Sequence, residues 1–119
     1  EYQDSDNAFD DGNDKFTVPT GKGGRYFITA GGTFYSNSTN RVTDAVIYIY
    51  KNGSQVNEAY QPLGSQYSAN PGANAVSSSI SAILNLSADD YIEVYGVVTT
   101  NSGAVSFGAS NFSGFRLGD

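Results

Sequence analysis

The sequence has no cysteine, no histidine, no methionine and no tryptophan. Without cysteine there is no disulfide and no thiolate chemistry, so stability must come from the core, from oligomerisation, or from both. Without histidine the commonest general base and the commonest zinc ligand are missing. Charge is sparse at 15% of residues, and it is lopsided: 12 acidic against 6 basic side chains, net −6. An acidic surface repels phosphate backbones, so no nucleic-acid partner is expected. No apolar run is long enough to span a bilayer and no signal peptide is visible, so no membrane insertion is expected either. The chain opens at Glu1 without a Met, and reads as a processed, trimmed or partial piece of something longer.

What is present points to strands. A length of 119 residues suits one domain, here residues 1–119, with room for one core. Tyr, Phe, Val, Ile and Thr are frequent, Lys and Glu are few, and 14 glycines fit many turns. The acidic start, with Asp4, Asp6, Asp10, Asp11 and Asp14 around Phe9, reads as extended chain with turns and a short edge strand near Tyr2. Phe16-Thr17-Val18 is the first clear strand, stopped by Pro19, which has no backbone donor. Residues 26–35 alternate, with Tyr26, Ile28 and Ala30 on one face and Phe27 and Thr29 on the other; Gly31-Gly32 marks a bend or bulge.

Residues 43–51 form the strongest strand pattern. Asn52-Gly53 is a hairpin turn signal, and residues 55–60 return. Residues 62–73 read as a loop, and 76–86 as a strand with Ile80, Ala82 and Leu84 in phase. Residues 87–90 make a turn and 91–99 a strand. After a turn at Asn101-Ser102-Gly103, residues 105–108 and 111–117 close the chain as two strands. Strands about every ten residues with turns between them predict an all-β sandwich or jelly roll, with no helix.

Several strands are apolar on both faces, which a lone sandwich does not need. Ala45-Val46-Ile47-Tyr48-Ile49-Tyr50 is one. Residues 91–98 are another, Glu93 excepted, and in 112–117 Phe112 lies on one face while Phe115 and Leu117 lie on the other. Residues 76–87, by contrast, carry serines opposite aliphatics. The expectation is one solvated sheet and one covered sheet, the latter packed against other copies in a closed ring. Tyr48, Tyr50, Tyr95, Phe115 and Leu117 are the candidate contacts, tyrosines giving large area and a hydroxyl to satisfy.

Four segments also resemble a known family. Phe16-Thr17-Val18-Pro19 followed by a glycine turn and Gly24-Arg25-Tyr26-Phe27-Ile28 resembles the C1q-domain signature. Tyr50-Lys51-Asn52-Gly53 resembles its central hairpin. Leu84-Asn85-Leu86-Ser87-Ala88-Asp89-Asp90-Tyr91-Ile92-Glu93-Val94 resembles its later strand pair, and Asn111-Phe112-Ser113-Gly114-Phe115-Arg116-Leu117 its closing strand. The glycine turn is two residues longer than the family's, Ile28 stands where Phe is usual, and Ala88-Asp89 where Gly-Asp is usual. The resemblance implies a ten-stranded jelly-roll sandwich of the C1q/TNF-like superfamily, homotrimeric, as the C-terminal head of a longer chain or stalk. Similar domains occur in bacteriophage virion proteins, in fibre tips and capsid fibres.

The function expected is therefore a non-enzymatic structural or adhesion head on a virion surface. It would be a tail-fibre tip or capsid decoration whose partners are its own copies, a host-surface glycan or protein receptor, or other virion proteins. A secreted, extracellular signalling or lectin domain and a pure trimerisation cap are the alternatives; upstream collagen-like repeats, fibre repeats or a coiled coil would separate them. Catalysis is left only carboxylates, hydroxyls and Lys. Asp89-Asp90 sits in a turn, where Asp ordinarily bends or caps the backbone, so no catalytic residue is assigned. The run 10–14 has oxygen ligands at calcium-like spacing but lacks the EF-hand Glu. It reads as a solvated acidic segment, with no metal and no cofactor expected. Of the formal glycosylation acceptors only Asn37 lies in a plausible loop. Loops rich in Ser, Asn, Gly and Tyr suit adaptable binding, and Tyr60, Tyr67, Asn70 and Asn101 are the candidate ligand contacts.

Overall fold

The computed structural model describes residues 8–10, 14–36, 42–62, 75–100 and 105–118. Among them are eight strands and no helix: β1 (Phe9–Asp10), β2 (Lys15–Thr17), β3 (Gly24–Ser36), β4 (Val42–Lys51), β5 (Ser54–Pro62), β6 (Ala75–Leu86), β7 (Tyr91–Thr100) and β8 (Val105–Gly118). Every pairing is antiparallel. One sheet has five strands in the order β1-β2-β7-β4-β5, the other three in the order β6-β3-β8. The pairs β4·β5, β3·β6 and β2·β7 nest inside one another, so the chain runs as one long hairpin folded over itself. The innermost turn of that hairpin is Asn52-Gly53, with φ of 50° and 81°. Two successive positive φ values make the tight turn whose twist matches flanking strands, and Asn and Gly tolerate them best.

Alternation sets what each sheet buries. From β3 the core takes Tyr26, Ile28, Ala30 and Phe34; from β4 it takes Ala45, Ile47 and Ile49; from β6, Val76, Ile80 and Leu86; from β7, Ile92. These side chains form one cluster drawn from both sheets, an arrangement compatible with a β-sandwich. Each large apolar side chain buried this way contributes about 1.5–3 kcal/mol relative to leaving it in water. Val18, just past β2, is fully buried, and its backbone continues the bonding: its N–H donates to Asp90 O at 2.9 Å, and Asp89 N–H donates to Val18 O at 2.9 Å. Pro19 therefore follows the last residue of that segment needing a backbone donor.

The Gly31-Gly32 irregularity is real and lies in the pairing with β8, where the register shifts between Gly31 and Thr33. A Cβ at Gly32 would lie 2.3 Å from the Phe107 ring, so glycine lets that ring lie on the strand.

Other expectations need correcting. The described residues hold eight strands rather than ten. Residues 105–108 and 111–117 are one strand, β8, because the extra residue between Gly108 and Asn111 is absorbed opposite Gly32 without breaking the ladder. β6 and the closing strand were expected in different sheets; both flank β3 in the same one. β1 was read as extended chain, and pairs with β2 instead. The edge strand expected near Tyr2 lies outside the described residues.

Candidate interaction faces

The outer face of the three-stranded sheet is built in rows across β6, β3 and β8. Register places Ile83, Phe27 and Phe115 side by side, and the two phenylalanine rings are 5.3 Å apart. Ile83 is 63% exposed, Phe115 55% and Leu117, at the irregularity near the end of β8, 48%. The next rows are short and polar: Ser81, Thr29 and Ser113, then Ser79, Gly31 and Asn111. Further along, Thr33 Oγ1 and Ser77 Oγ share a hydrogen bond of 2.9 Å. The face is thus an apolar band beside a band of hydroxyls and small side chains.

The outer face of the five-stranded sheet differs. Tyr48 of β4 lies opposite Tyr95 of β7, and Tyr50 lies opposite Glu93, which in turn lies opposite Lys15. Tyr50 meets Tyr95 at 4.9 Å and 69°, and Tyr48 at 6.2 Å and 82°, both edge to face. Such contacts match a ring's positive edge to its neighbour's negative face. Tyr95 Oη donates to Glu93 Oε2 at 3.1 Å, and that carboxylate pushes the phenol pKa above its ordinary value. Lys15 Nζ lies 4.5 Å above the Tyr91 ring. Glu58 of β5 lies opposite Tyr48 and accepts from Gln55 Nε2 at 3.3 Å.

The five residues read as subunit contacts therefore divide into two groups. Tyr48, Tyr50 and Tyr95 converge on one outer face; Phe115 and Leu117 lie on the other sheet. Of the residues assigned to binding loops, Tyr60 is in strand β5, opposite Val46. Tyr67, Asn70 and Asn101 lie outside the described residues, as does the acceptor Asn37. Residues 1–7 and 11–13 of the acidic start are outside as well, and among the described residues no three His, Cys, Asp or Glu side chains converge as metal ligands. Sequence reasoning missed Ile83, Phe27, Glu93 and Lys15 as members of these faces. A signal for Ile83 was available: it breaks the series Ser77, Ser79, Ser81 at the next outward position. Register alone brings Lys15 to Glu93.

Asp90 is a structural carboxylate. Its Oδ1 accepts from Asn52 Nδ2 at 2.8 Å and its Oδ2 from the Ser87 N–H at 2.8 Å, with Lys51 Nζ 3.1 Å away. The Asn52 bond, then the Ser87 amide and Lys51, hold its pKa down to about 2 against partial desolvation. Asn52 Oδ1 accepts from the Tyr91 N–H at 2.9 Å, so the β4–β5 turn and the β6–β7 turn are latched together. A second feature, a cleft of about 340 Å³ between the sheets, is lined mainly by Ile47, Val94, Phe107 and Phe112 and carries one carboxylate, Asp14. Its lining also includes Tyr95 but holds no second carboxylate.

Compared with known proteins, the chain matches no family model and no curated protein sequence.

Proposed function

We propose that this chain is a non-enzymatic adhesion head of the C1q/TNF-like jelly-roll kind, that it acts as a homotrimer, and that it sits on a phage virion and attaches to a host-surface ligand. The nested pairing of β4·β5, β3·β6 and β2·β7 supports the jelly-roll reading, because a folded-over long hairpin is how that architecture arises. The four family-like segments support the superfamily and the virion setting. The occupied oxygens of Asp90 support reading the Asp89-Asp90 turn as structural rather than catalytic.

One observation carries the oligomer: the row Ile83, Phe27 and Phe115, with Leu117 nearby, exposes large apolar side chains on the outer face of a sheet. Such a patch lowers its free energy by meeting protein rather than water. The low Ser, Thr and Gly rows beside it let a second β surface approach closely. The subunit seam is accordingly assigned to the three-stranded sheet, and Tyr48, Tyr50 and Tyr95 are left out of it. Absolute mass by light scattering on a sizing column tests the reading. A mass three times that of the chain is expected at micromolar concentration; a single-chain mass removes the trimer.

A further inference from the structure

We propose that the Tyr48, Tyr50 and Tyr95 platform on the five-stranded sheet, with Glu93 and Glu58 at its sides, binds an uncharged glycan. The proposal rests on the adhesion-head reading for its purpose, and on the geometry of this face for its chemistry. Three rings held edge to face, at 4.9 and 6.2 Å between centroids, present a preordered aromatic surface. Their mutual contacts and their place on strands limit the side-chain freedom lost on binding, and the C–H faces of a sugar ring complement aromatic faces.

The carboxylates supply the second requirement. Glu93 has one hydrogen bond to Tyr95 and Glu58 one to Gln55, which leaves each with acceptor positions for sugar hydroxyls. Bonds from a hydroxyl to a carboxylate are stronger than those between neutral groups. Charge narrows the class. Two carboxylates on a chain of net −6 repel sulfated, phosphorylated or uronic sugars. Lys15, which covers Tyr91 and lies opposite Glu93, offsets one of the two carboxylates locally, so the face attracts a cation less than two bare carboxylates would. The open acceptors beside hydroxyl-bearing rings point to a neutral, hydroxyl-rich ligand, and titration with hexalysine decides against a cationic one. The platform is on the other sheet from the proposed subunit contact, so a trimer would display three copies and gain avidity on a polymeric glycan.

The test is an amide-resolved NMR titration of the intact chain with cellohexaose, maltohexaose and mannohexaose, and with hexagalacturonate and hexalysine as charged probes. At least one neutral hexasaccharide is expected to shift the signals of Tyr48, Tyr50, Tyr95 and Glu93. Tyr95→Ala should weaken that binding by about tenfold, one lost ring contact, while Tyr95→Phe keeps most of it. Spectral dispersion of each variant verifies its fold. The site is overturned if no neutral probe shifts these signals, if a charged probe binds more tightly than every neutral one, or if Tyr95→Ala binds like the parent. A single-chain mass with glycan binding would defeat the trimer and keep this site. A trimer with no glycan binding would do the reverse.

Discussion

On the outer face of β4 and β7, tyrosines touch edge to face beside carboxylates and a lysine; on the outer face of β6, β3 and β8, isoleucine and phenylalanine make one band and hydroxyls another. The same alternation produces both, since each is merely the side of a strand that the shared core does not use. What differs is how each tolerates water. A tyrosine keeps its hydroxyl solvated while its ring packs on a neighbour, so the Tyr48, Tyr50 and Tyr95 part of the five-stranded face is stable when wet, with Val97 beside it the exposed apolar exception at 53%. Ile83, Phe115 and Leu117 carry no polar atom to satisfy, so their exposure is relieved only by another apolar surface. Two faces over one core thus differ in how they meet water without any change of fold.

The comparison presumes one core behind both faces, and that is where the largest effect should appear. Ile28→Ala from the three-stranded sheet and Ile47→Ala from the five-stranded sheet should each lose about 2–5 kcal/mol in urea unfolding, in a single transition. Two separate transitions would break the shared core, and with it the comparison. Next, the double variant Ile83→Ser with Phe115→Ser should reduce the solution mass to that of one chain, whereas Tyr48→Ser with Tyr95→Ser should leave the mass unchanged. The opposite pattern would exchange the roles of the two faces.

A smaller effect belongs to the latch that holds the turns between β4 and β5 and between β6 and β7. Asp90→Ala removes the acceptor for Asn52 and for the Ser87 amide, and should cost about 1–2 kcal/mol in chemical denaturation while leaving solution mass unaltered. The smallest effect is its pH dependence. Asp90 is held at about 2 in the folded chain against an ordinary 3.8, so the unfolded chain binds the extra proton first on acidification. Its stabilisation is complete above 3.8 and is lost as pH falls through that value toward about 2. Melting temperatures taken across this window should fall more steeply for the parent than for Asp90→Asn. Equal slopes would show that Asp90 is not the group responsible.

Much of the fold was legible because short-range rules govern it. Tyr26, Ile28 and Ala30 alternate with Phe27 and Thr29, and the structure buries the first set. Asn52-Gly53 demands positive φ and has it. Phe112 packs on the core while Phe115 faces outward, as the two-residue period requires. The division of strands between sheets was not legible. β8 has phenylalanine on both sides and β6 has serine on one, so composition alone sent them to different sheets. Both pair with β3, because its 13 residues offer a long ladder on each side.

The candidate faces followed the same division. That Tyr48, Tyr50, Phe115 and Leu117 point away from the core could be read from residue order, since side-chain direction depends only on position along a strand. Whether two outward side chains belong to one surface depends on which strands are neighbours and in what register. Those are set by backbone bonds between segments tens of residues apart. Tyr95 meets Tyr50 because β7 pairs with β4, and Phe115 meets Phe27 because β8 pairs with β3. Facing direction is a local property of the chain; membership of a surface is a long-range one, and only the tertiary pairing decides it.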